Sequence, residues 1–289
     1  MQFHQNLQIA AVLCFLPVCL VLAIIFRKRK EQRALSRAPF KELVRRPAGE
    51  TLRLKLEAME EKLTELTMGL VLFPMLMALG LFTLRPKGLL TPIVFFLFSA
   101  ISSAFYGVRL YKLVRSRANY QLGYDGERFV GEELSRLISL GFEIYHDVPF
   151  DGFNIDHVLV GKRGVFIVET KTRRKPVNEQ GDKKFRVGFD GKYLQWPWGA
   201  DNYGIEQAKN NAKTLSGWLG SAAGENVWTT PILTLPGWMV DRKVPSDGLF
   251  VLNPKEIYGV CFAQPEKLTE PQITRICHQL DQKCRIEVT

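Results

Sequence analysis

The sequence predicts an α/β domain that is preceded by three transmembrane α-helices. Three long apolar runs fall within the first 111 residues, and the chain after residue 123 alternates short β-type stretches with helix-type stretches. With 289 residues and 46% apolar content, the chain has room for one ordinary domain besides a membrane region.

The first apolar run, residues 7–26, contains no charged side chain. Its length matches the roughly 20 residues that a helix needs to cross the hydrocarbon core. Four basic residues, 27–30, follow directly, whereas a cleavable signal peptide carries its positive charge before the apolar run. We therefore expect residues 1–26 to form transmembrane helix 1, an uncleaved anchor whose basic end faces the cytoplasm.

Two further apolar runs, residues 68–84 and 89–111, are separated by the short turn Arg85-Pro86-Lys87-Gly88. They predict a transmembrane hairpin, helices 2 and 3, over residues 67–111. Residues 27–66 hold twelve basic side chains against two in the hairpin turn, which assigns residues 27–66 to the cytoplasm. The alternative is that these runs are buried core helices, but a soluble domain of this size does not need three of them.

The basic segment, residues 27–66, also shows helical spacing of its leucines after residue 50. We expect a cytoplasmic helix over residues 50–66 that contacts the membrane surface or a second copy of the chain. Residues 112–122 are then a linker to a cytoplasmic domain over residues 123–289. Together these segments predict a multi-pass membrane protein, of the bacterial inner membrane, with the domain in the cytoplasm.

The centre of the predicted domain is residues 154–171, two β-type arms joined by the turn Gly161-Lys162-Arg163-Gly164. Side chains alternate along a strand, so Asp156 shares an apolar row of the first arm, and Glu169 and Lys171 share one face of the second. If the arms pair, Asp156 and Glu169 lie at the same edge of the sheet. Two carboxylates there repel each other and attract a divalent cation.

A base and a further acid complete this pattern. Lys171, beside such a cation, can orient or deprotonate a water molecule, or stabilise charge on a phosphate. In the helix after residue 125, Glu127 is the early acid that falls on the apolar stripe of Val130 and Leu134. The alternative for Glu127 is an ordinary first-turn acid that the helix dipole favours.

An Asp followed by Glu-x-Lys resembles the PD-(D/E)xK nuclease superfamily, and residues 126 to about 219 resemble its NERD (nuclease-related domain) branch. The matching pieces are Gly126-Glu127-Arg128-Phe129-Val130, Ile155-Asp156-His157-Val158, residues 164–171 and Ile205-Glu206-Gln207-Ala208-Lys209. Ile155 stands where the superfamily name has proline. Asn202-Tyr203, with one extra residue, stands where Asn-Pro often precedes the glutamine motif.

The resemblance implies a restriction-endonuclease-like core, with a mixed central sheet flanked by helices, and a phosphodiesterase that depends on Mg²⁺ or Mn²⁺. It implies a metal site made of Glu127, Asp156, Glu169 and the backbone carbonyl of Thr170. Lys171 would position or deprotonate the attacking water. Gln207 would line the site and contact phosphate or order the lysine, the alternative being a helix-surface amide. His157 points to the opposite face from Asp156, so we expect it in the core.

The net charge of +10 is located mainly in the membrane half. Residues 1–118 hold 18 basic and 7 acidic side chains, whereas residues 119–289 hold 21 and 22. Within the domain, residues 162–192 hold ten basic and four acidic side chains, which suits a phosphate backbone or, alternatively, a solvated charged hairpin. Trp196 and Trp198 would stack on bases or pack into the domain. The five cysteines show no zinc spacing, which favours a reduced, cytosolic domain.

Three classes of function follow. The first is a membrane-anchored metal-dependent nuclease that acts on nucleic acid, with DNA favoured, and that contacts the lipid bilayer and self-associates through the membrane or the 50–66 helix. The second is a catalytically silent nucleic-acid-binding or scaffold module that is tethered to the membrane. The third is a membrane assembly or sensor protein. The residues leave open DNA versus RNA, strandedness, endo versus exo cleavage and the number of metals.

Overall fold

The structure, a computed structural model, describes residues 24, 27–28, 43–84, 88–176, 185–224, 226–243 and 248–287. The chain forms two compact units. The first includes residues 64–111, and the second includes residues 44–63 and 112–286. Part of the predicted cytoplasmic segment is therefore in the same unit as the predicted domain.

Two long helices, α1 (Glu50–Leu84) and α2 (Leu90–Ser135), run through both units. Within the first unit the helices contact each other, and the ring centroids of Phe73 and Phe98 are 5.7 Å apart. Both helices are long and apolar enough to cross a membrane, and their most apolar stretches are not buried inside the protein. The sequence predicted three such spans. Two lie in the described part of the chain, while residues 7–26, apart from Ile24, and turn residues 85–87 lie outside it.

These helices extend further than the sequence predicts. The predicted 50–66 helix and the second span form one helix, α1, because neither glycine nor proline separates them. Residues 112–122, predicted as a linker, are helical within α2 and also lack glycine and proline. Helix α2 ends at Ser135, and a short 3₁₀ turn, Ile138–Leu140, follows.

The remaining elements belong to the second unit, apart from the outer ends of two terminal strands. The strands are β1 (Leu43–Arg45), β2 (Glu143–Phe150), β3 (Phe153–Gly161), β4 (Gly164–Thr170), β5 (Arg186–Phe189), β6 (Leu194–Trp196), β7 (Gly199–Asp201), β8 (Thr229–Thr234), β9 (Met239–Arg242), β10 (Phe250–Leu252) and β11 (Arg285–Glu287). The helices are α3 (Tyr203–Ala223), α4 (Ile257–Ala263) and α5 (Glu270–Cys284).

The main sheet is mixed, in the order β10-β8-β4-β3-β2. Strands β2, β3 and β4 are antiparallel, whereas β4, β8 and β10 are parallel. The tight turn pairs Gly161 with Gly164, as predicted. All seven residues of β4 are buried, which confirms the buried central strand. A smaller sheet has the order β7-β6-β5-β9, and β1 pairs with β11.

Helices cover both faces of the main sheet. On one face, Ile205 and Leu215 of α3 pack in the same buried cluster as Ile167 of β4. On the other face, Val130 of α2 packs in the same cluster as Phe166 of β4. Successive side chains of β4 therefore point into two separate hydrophobic cores, because side chains alternate between the two faces of a strand. Each fully buried aliphatic side chain contributes about 1.5–3 kcal/mol, so both layers hold the sheet edge in place.

Candidate active site

The end of β4 brings two of the predicted acids to one edge of the main sheet. His157 pairs with Val168 across β3 and β4, so Asp156 and Glu169 are the next residues towards that edge. The Thr170 backbone N–H donates a hydrogen bond to Asp156 Oδ2 at 2.7 Å. The structure thus brings Asp156 and Glu169 together, as the strand pairing predicted.

Lys171 is fixed by two side chains. Its Nζ donates to Glu169 Oε1 at 2.7 Å and to Gln207 Oε1 at 2.8 Å. The second oxygen of Glu169 accepts a hydrogen bond from Asn211 Nδ2 at 2.9 Å. Gln207 and Asn211 lie one turn apart on α3, so the same helix face holds both the lysine and its acid.

Two glycines allow the elements of the site to approach each other. A Cβ atom on Gly204, in the first turn of α3, would lie 2.9 Å from Cγ of Lys171. A Cβ atom on Gly126 of α2 would lie 1.7 Å from Oγ1 of Thr172. Only glycine therefore permits the turn of α2 that carries Glu127 to pack against the chain just after Lys171.

Glu127 and Asp156 line the same cavity, which has a volume of about 380 Å³. The other lining residues are Thr51, Leu52, Lys55, Asp147, Phe150, Gly152, Phe153 and Asn154. Glu169 is not among the residues that line this cavity, and it is buried, with 1% of its surface exposed. The helix acid and the first-strand acid thus face a common space, while the second-strand acid is in the core.

The pKa of each of the three acids is raised, in every case mainly by burial. Burial raises the pKa of Glu127 to about 8, and the charges of Asp147 and Glu169 contribute to the rise. Burial also raises the pKa of Asp156 well above its usual value, with further contributions from Glu169 and Glu127. Burial raises the pKa of Glu169 in spite of its bonds to Lys171 and Asn211. The cluster therefore contains more carboxyl groups than nearby positive charges that could neutralise them.

Lys171 remains an ammonium group at neutral pH. Burial lowers its pKa, but the charges of Glu169 and Asp156 more than offset that effect, and the net pKa is raised. A lysine of this kind orients water and stabilises anionic charge, and it is a poor proton acceptor. Of the roles that the sequence left open for Lys171, deprotonation of the water is the one that this environment disfavours.

The donor chemistry of the site suits a hard divalent cation, because carboxylate and carbonyl oxygens are its preferred ligands. A cation would also neutralise the excess negative charge of the three acids. However, no three His, Cys, Asp or Glu side chains in the described part of the chain are arranged closely enough to hold an ion. Glu169 already accepts two hydrogen bonds. The residues fit a cation in donor type and charge, and their side chains would have to rearrange to bind it.

Sequence reasoning missed Asn211 and Asp147. Asn211 follows Gln207 by four residues, and this spacing is a signal that could have identified it. Asp147 lies within β2; it is 3% exposed and adopts φ 48°, which non-glycine residues rarely do. Its partners Arg46 and Thr51 gave no sequence signal, because they precede the apolar part of α1.

Other predicted residues have structural roles. His157 is fully buried, and its Nδ1 is 2.8 Å from Nδ1 of His146, so its predicted core position is confirmed. Trp196 is 6% exposed and stacks on Trp198, with ring centroids 5.3 Å apart, which is packing within the domain. Trp198 itself is 52% exposed. Of the basic run, residues 177–184 lie outside the described residues.

A comparison with family models finds one that matches residues 122–236, described as NERD, nuclease-related domain. No curated protein and no solved structure matches the chain. The matched stretch contains the five predicted catalytic side chains, and it leaves residues 44–63 outside. Residues 122–236 of this protein are a nuclease-related domain.

Proposed function

We propose that this protein is a membrane-anchored, metal-dependent nuclease that hydrolyses phosphodiester bonds of nucleic acid, with DNA as the favoured substrate, on the cytoplasmic side. The observation that carries the proposal is the position of Lys171, 2.7 Å from Glu169 and 2.8 Å from Gln207, at the sheet edge where Asp156 also lies. In this reading Asp156, Glu169 and Lys171 are the three named residues of a PD-(D/E)xK site.

The chain's own residues supply positioning and charge. Glu127, Asp156, Glu169 and the backbone carbonyl of Thr170 would hold Mg²⁺ or Mn²⁺. When bound, the ion supplies Lewis-acid polarisation of the scissile phosphate. Lys171, kept protonated by Glu169, would donate a hydrogen bond to an oxygen on which charge develops. Gln207 would hold the ammonium group in that direction.

Substrate contact is supported by the segment that leaves the site. After Lys171 and Thr172 the chain continues with Arg173, Arg174 and Lys175, and all three are exposed. Exposed basic side chains bind the phosphates of nucleic acid independently of the base sequence, and they make nucleic-acid binding sensitive to salt. The segment would therefore guide a nucleic-acid backbone towards the acids.

The membrane part of the proposal is supported by two helices of sufficient length and apolarity. Twelve basic residues in the 27–66 segment against two in the hairpin turn support a cytoplasmic position for that segment. A nuclease anchored in this way would act on nucleic acid near the inner face of the membrane.

The test is cleavage of labelled DNA and RNA by the full-length protein in detergent, with Mg²⁺, with Mn²⁺ and with a chelator. We expect metal-dependent cleavage that falls about 10²–10³-fold in Lys171→Met, as for loss of one donor to a developing charge. Asp156→Asn should also lose activity. Lys213→Met, an exposed lysine further along α3, should cut like the wild type. Full cleavage by both site variants would overturn the proposal.

A second function, a catalytically silent module that tethers nucleic acid to the membrane, is favoured by one observation. Both oxygens of Glu169 are engaged by Lys171 and Asn211, an arrangement that does not require a metal. This function predicts salt-sensitive binding that is the same with Mg²⁺ and with a chelator, and no cleavage. Measuring both nucleic-acid binding and cleavage in the reactions with Mg²⁺, Mn²⁺ and chelator separates the two functions.

A further inference from the structure

The start of α1 is packed onto the nuclease-related domain, although the family match does not include it. Gly49, just before α1, has φ +75°, and a Cβ atom there would lie 2.7 Å from the ring of Tyr124 in α2. Further along, Arg117 Nη2 of α2 binds Glu60 Oε1 of α1 at 2.6 Å. Leu56, between these points, is 6% exposed. The first turns of α1 therefore have a defined place beside residues 117–124.

Asp147 ties the first turn of α1 to the rim of the candidate active site. Its Oδ2 accepts hydrogen bonds from Thr51 N at 2.9 Å and from Thr51 Oγ1 at 2.8 Å, and Arg46 Nε donates to it at 3.0 Å. Its Oδ1 accepts from Asn154 Nδ2 at 2.8 Å. Asn154 lies two residues before Asp156 on β3. One buried carboxylate thus joins α1, β2 and the strand that carries a candidate metal ligand.

Lys55 follows Thr51 by one helical turn and lines the cavity that Glu127 and Asp156 share. Its Nζ is 5.8 Å from the ring centroid of Tyr120, and its charge lowers the pKa of Glu127, against the larger effect of burial. Lys55 forms no salt bridge within the described part of the chain. Its ammonium group is therefore free to contact a ligand in the cavity.

The charge of the cavity makes this lysine important. Glu127, Asp147 and Asp156 all line the cavity, and each of them repels a phosphate whenever it is ionised. Among the described residues that line it, Lys55 alone carries a positive charge. Lys171, the nearby cation of the sheet edge, already donates two of its three N–H groups to Glu169 and Gln207, and the third is assigned to the scissile phosphate. A phosphate that enters the cavity therefore meets Lys55 as its available cationic partner.

We infer that the segment of α1 around Lys55 completes the active site, and that Lys55 binds a phosphate of the nucleic-acid backbone next to the scissile one. This inference rests on the proposed nuclease function. Its substrate class is a polyanionic strand, and the role of Lys55 is binding and not proton transfer. Thr51 and Asp147 are positioning residues that hold Lys55 over the acids.

The test compares Lys55→Gln with Lys62→Gln in the full-length protein. Lys62 lies two turns further on the same helix, is exposed, and is not among the residues that line the cavity, so it is a matched control. Binding of a fluorescent DNA strand is measured in chelator between about 50 and 200 mM salt. Cleavage is measured with Mg²⁺ to separate KM from kcat.

The logarithm of the DNA-binding constant falls linearly with the logarithm of the salt concentration. We expect Lys55→Gln to make this slope shallower by about 0.7 for a single strand or 0.9 for a duplex. KM should rise about tenfold, the effect of a lost hydrogen bond to a charged group, with kcat unchanged. Lys62→Gln should leave slope and KM unchanged. Thr51→Ala should raise KM, but not further in combination with Lys55→Gln, because a positioning residue acts through the lysine.

The outcomes distinguish this inference from the proposed function. If the wild type cuts and Lys55→Gln behaves like Lys62→Gln, the inference is overturned and the nuclease stands. If binding depends on Lys55 but no cation supports cleavage, phosphate binding by Lys55 stands, whereas catalysis and the place of Lys55 beside a scissile phosphate are overturned. If the wild type neither binds nor cuts, both are overturned.

Discussion

Replacing Arg46 with methionine should destabilise the nuclease-related domain, even though Arg46 lies far before the matched residues. Its side chain is 14% exposed, and that of its partner Asp147 is 4% exposed. Methionine retains the apolar stem and removes the guanidinium group. Asp147 then remains as a buried carboxylate that, among the described residues, only Thr51 and Asn154 hold.

The expected cost follows from this geometry. Removing one partner of a buried ion pair costs about 3–5 kcal/mol, because the other charge stays buried without its counter-ion. The hydrogen bonds from Thr51 and Asn154 still hold the carboxylate, so we expect the lower end, about 3 kcal/mol. For a domain of this size each kcal/mol lowers the Tm by about 2–4 °C, so the shift should be roughly 6–12 °C.

Tryptophan fluorescence during heating measures this shift without interference from the membrane helices. All five tryptophans lie between residues 196 and 238, so the signal reports on the domain alone. Arg45→Met is the matched control. Arg45 is 45% exposed and binds Glu143 at 2.9 Å and Asp281 at 2.7 Å. Exposed pairs of this kind contribute about 0–1 kcal/mol. Equal Tm values for the two variants would refute the packing of residues 44–63 onto the domain.

Two further predictions concern the acids. Because the pKa of Glu127 is raised from 4.5 to about 8, the folded state holds an extra proton between these values, and stability should fall as pH rises through this window. In chelator, the Tm of Glu127→Gln should fall less from pH 5 to 8 than that of the wild type; identical slopes would contradict the raised pKa. Mn²⁺ at pH 8 should stabilise the wild type, by about 2.7 kcal/mol at 100 times its Kd, and should not stabilise Asp156→Asn. An equal Tm increase in both proteins would argue against Asp156 as a ligand.

The positions of the two strand acids followed from local rules. A tight turn sets the register of β3 against β4, and strand side chains alternate with period 2, so Asp156 and Glu169 had to reach the same edge. In the same way, the apolar residues of α3 recur every three or four positions, so helical spacing places Ile205, Ala208, Ala212, Leu215 and Leu219 on one buried face.

Helix ends were harder to predict for a related reason. A helix continues wherever nothing stops it, and residues 50–68 and 112–122 contain neither glycine nor proline. Whether such a stretch stays helical depends on what it packs against, because tertiary contacts supply most helix stability. The sequence showed the apolar runs, and the packing of their flanks onto the domain extended them into α1 and α2.

The amino-acid sequence by itself determined the strand pair, the acids at its edge, Lys171 and the core face of α3, since each depends on periodicity over a few residues. Only the tertiary structure decided that Arg46 and Thr51 would join that edge through Asp147, 101 and 96 residues further along the chain. Contacts between such distant residues leave no local pattern, because they form only when the chain folds back on itself. The same folding placed Lys55, from outside the matched domain, in the cavity of Glu127 and Asp156.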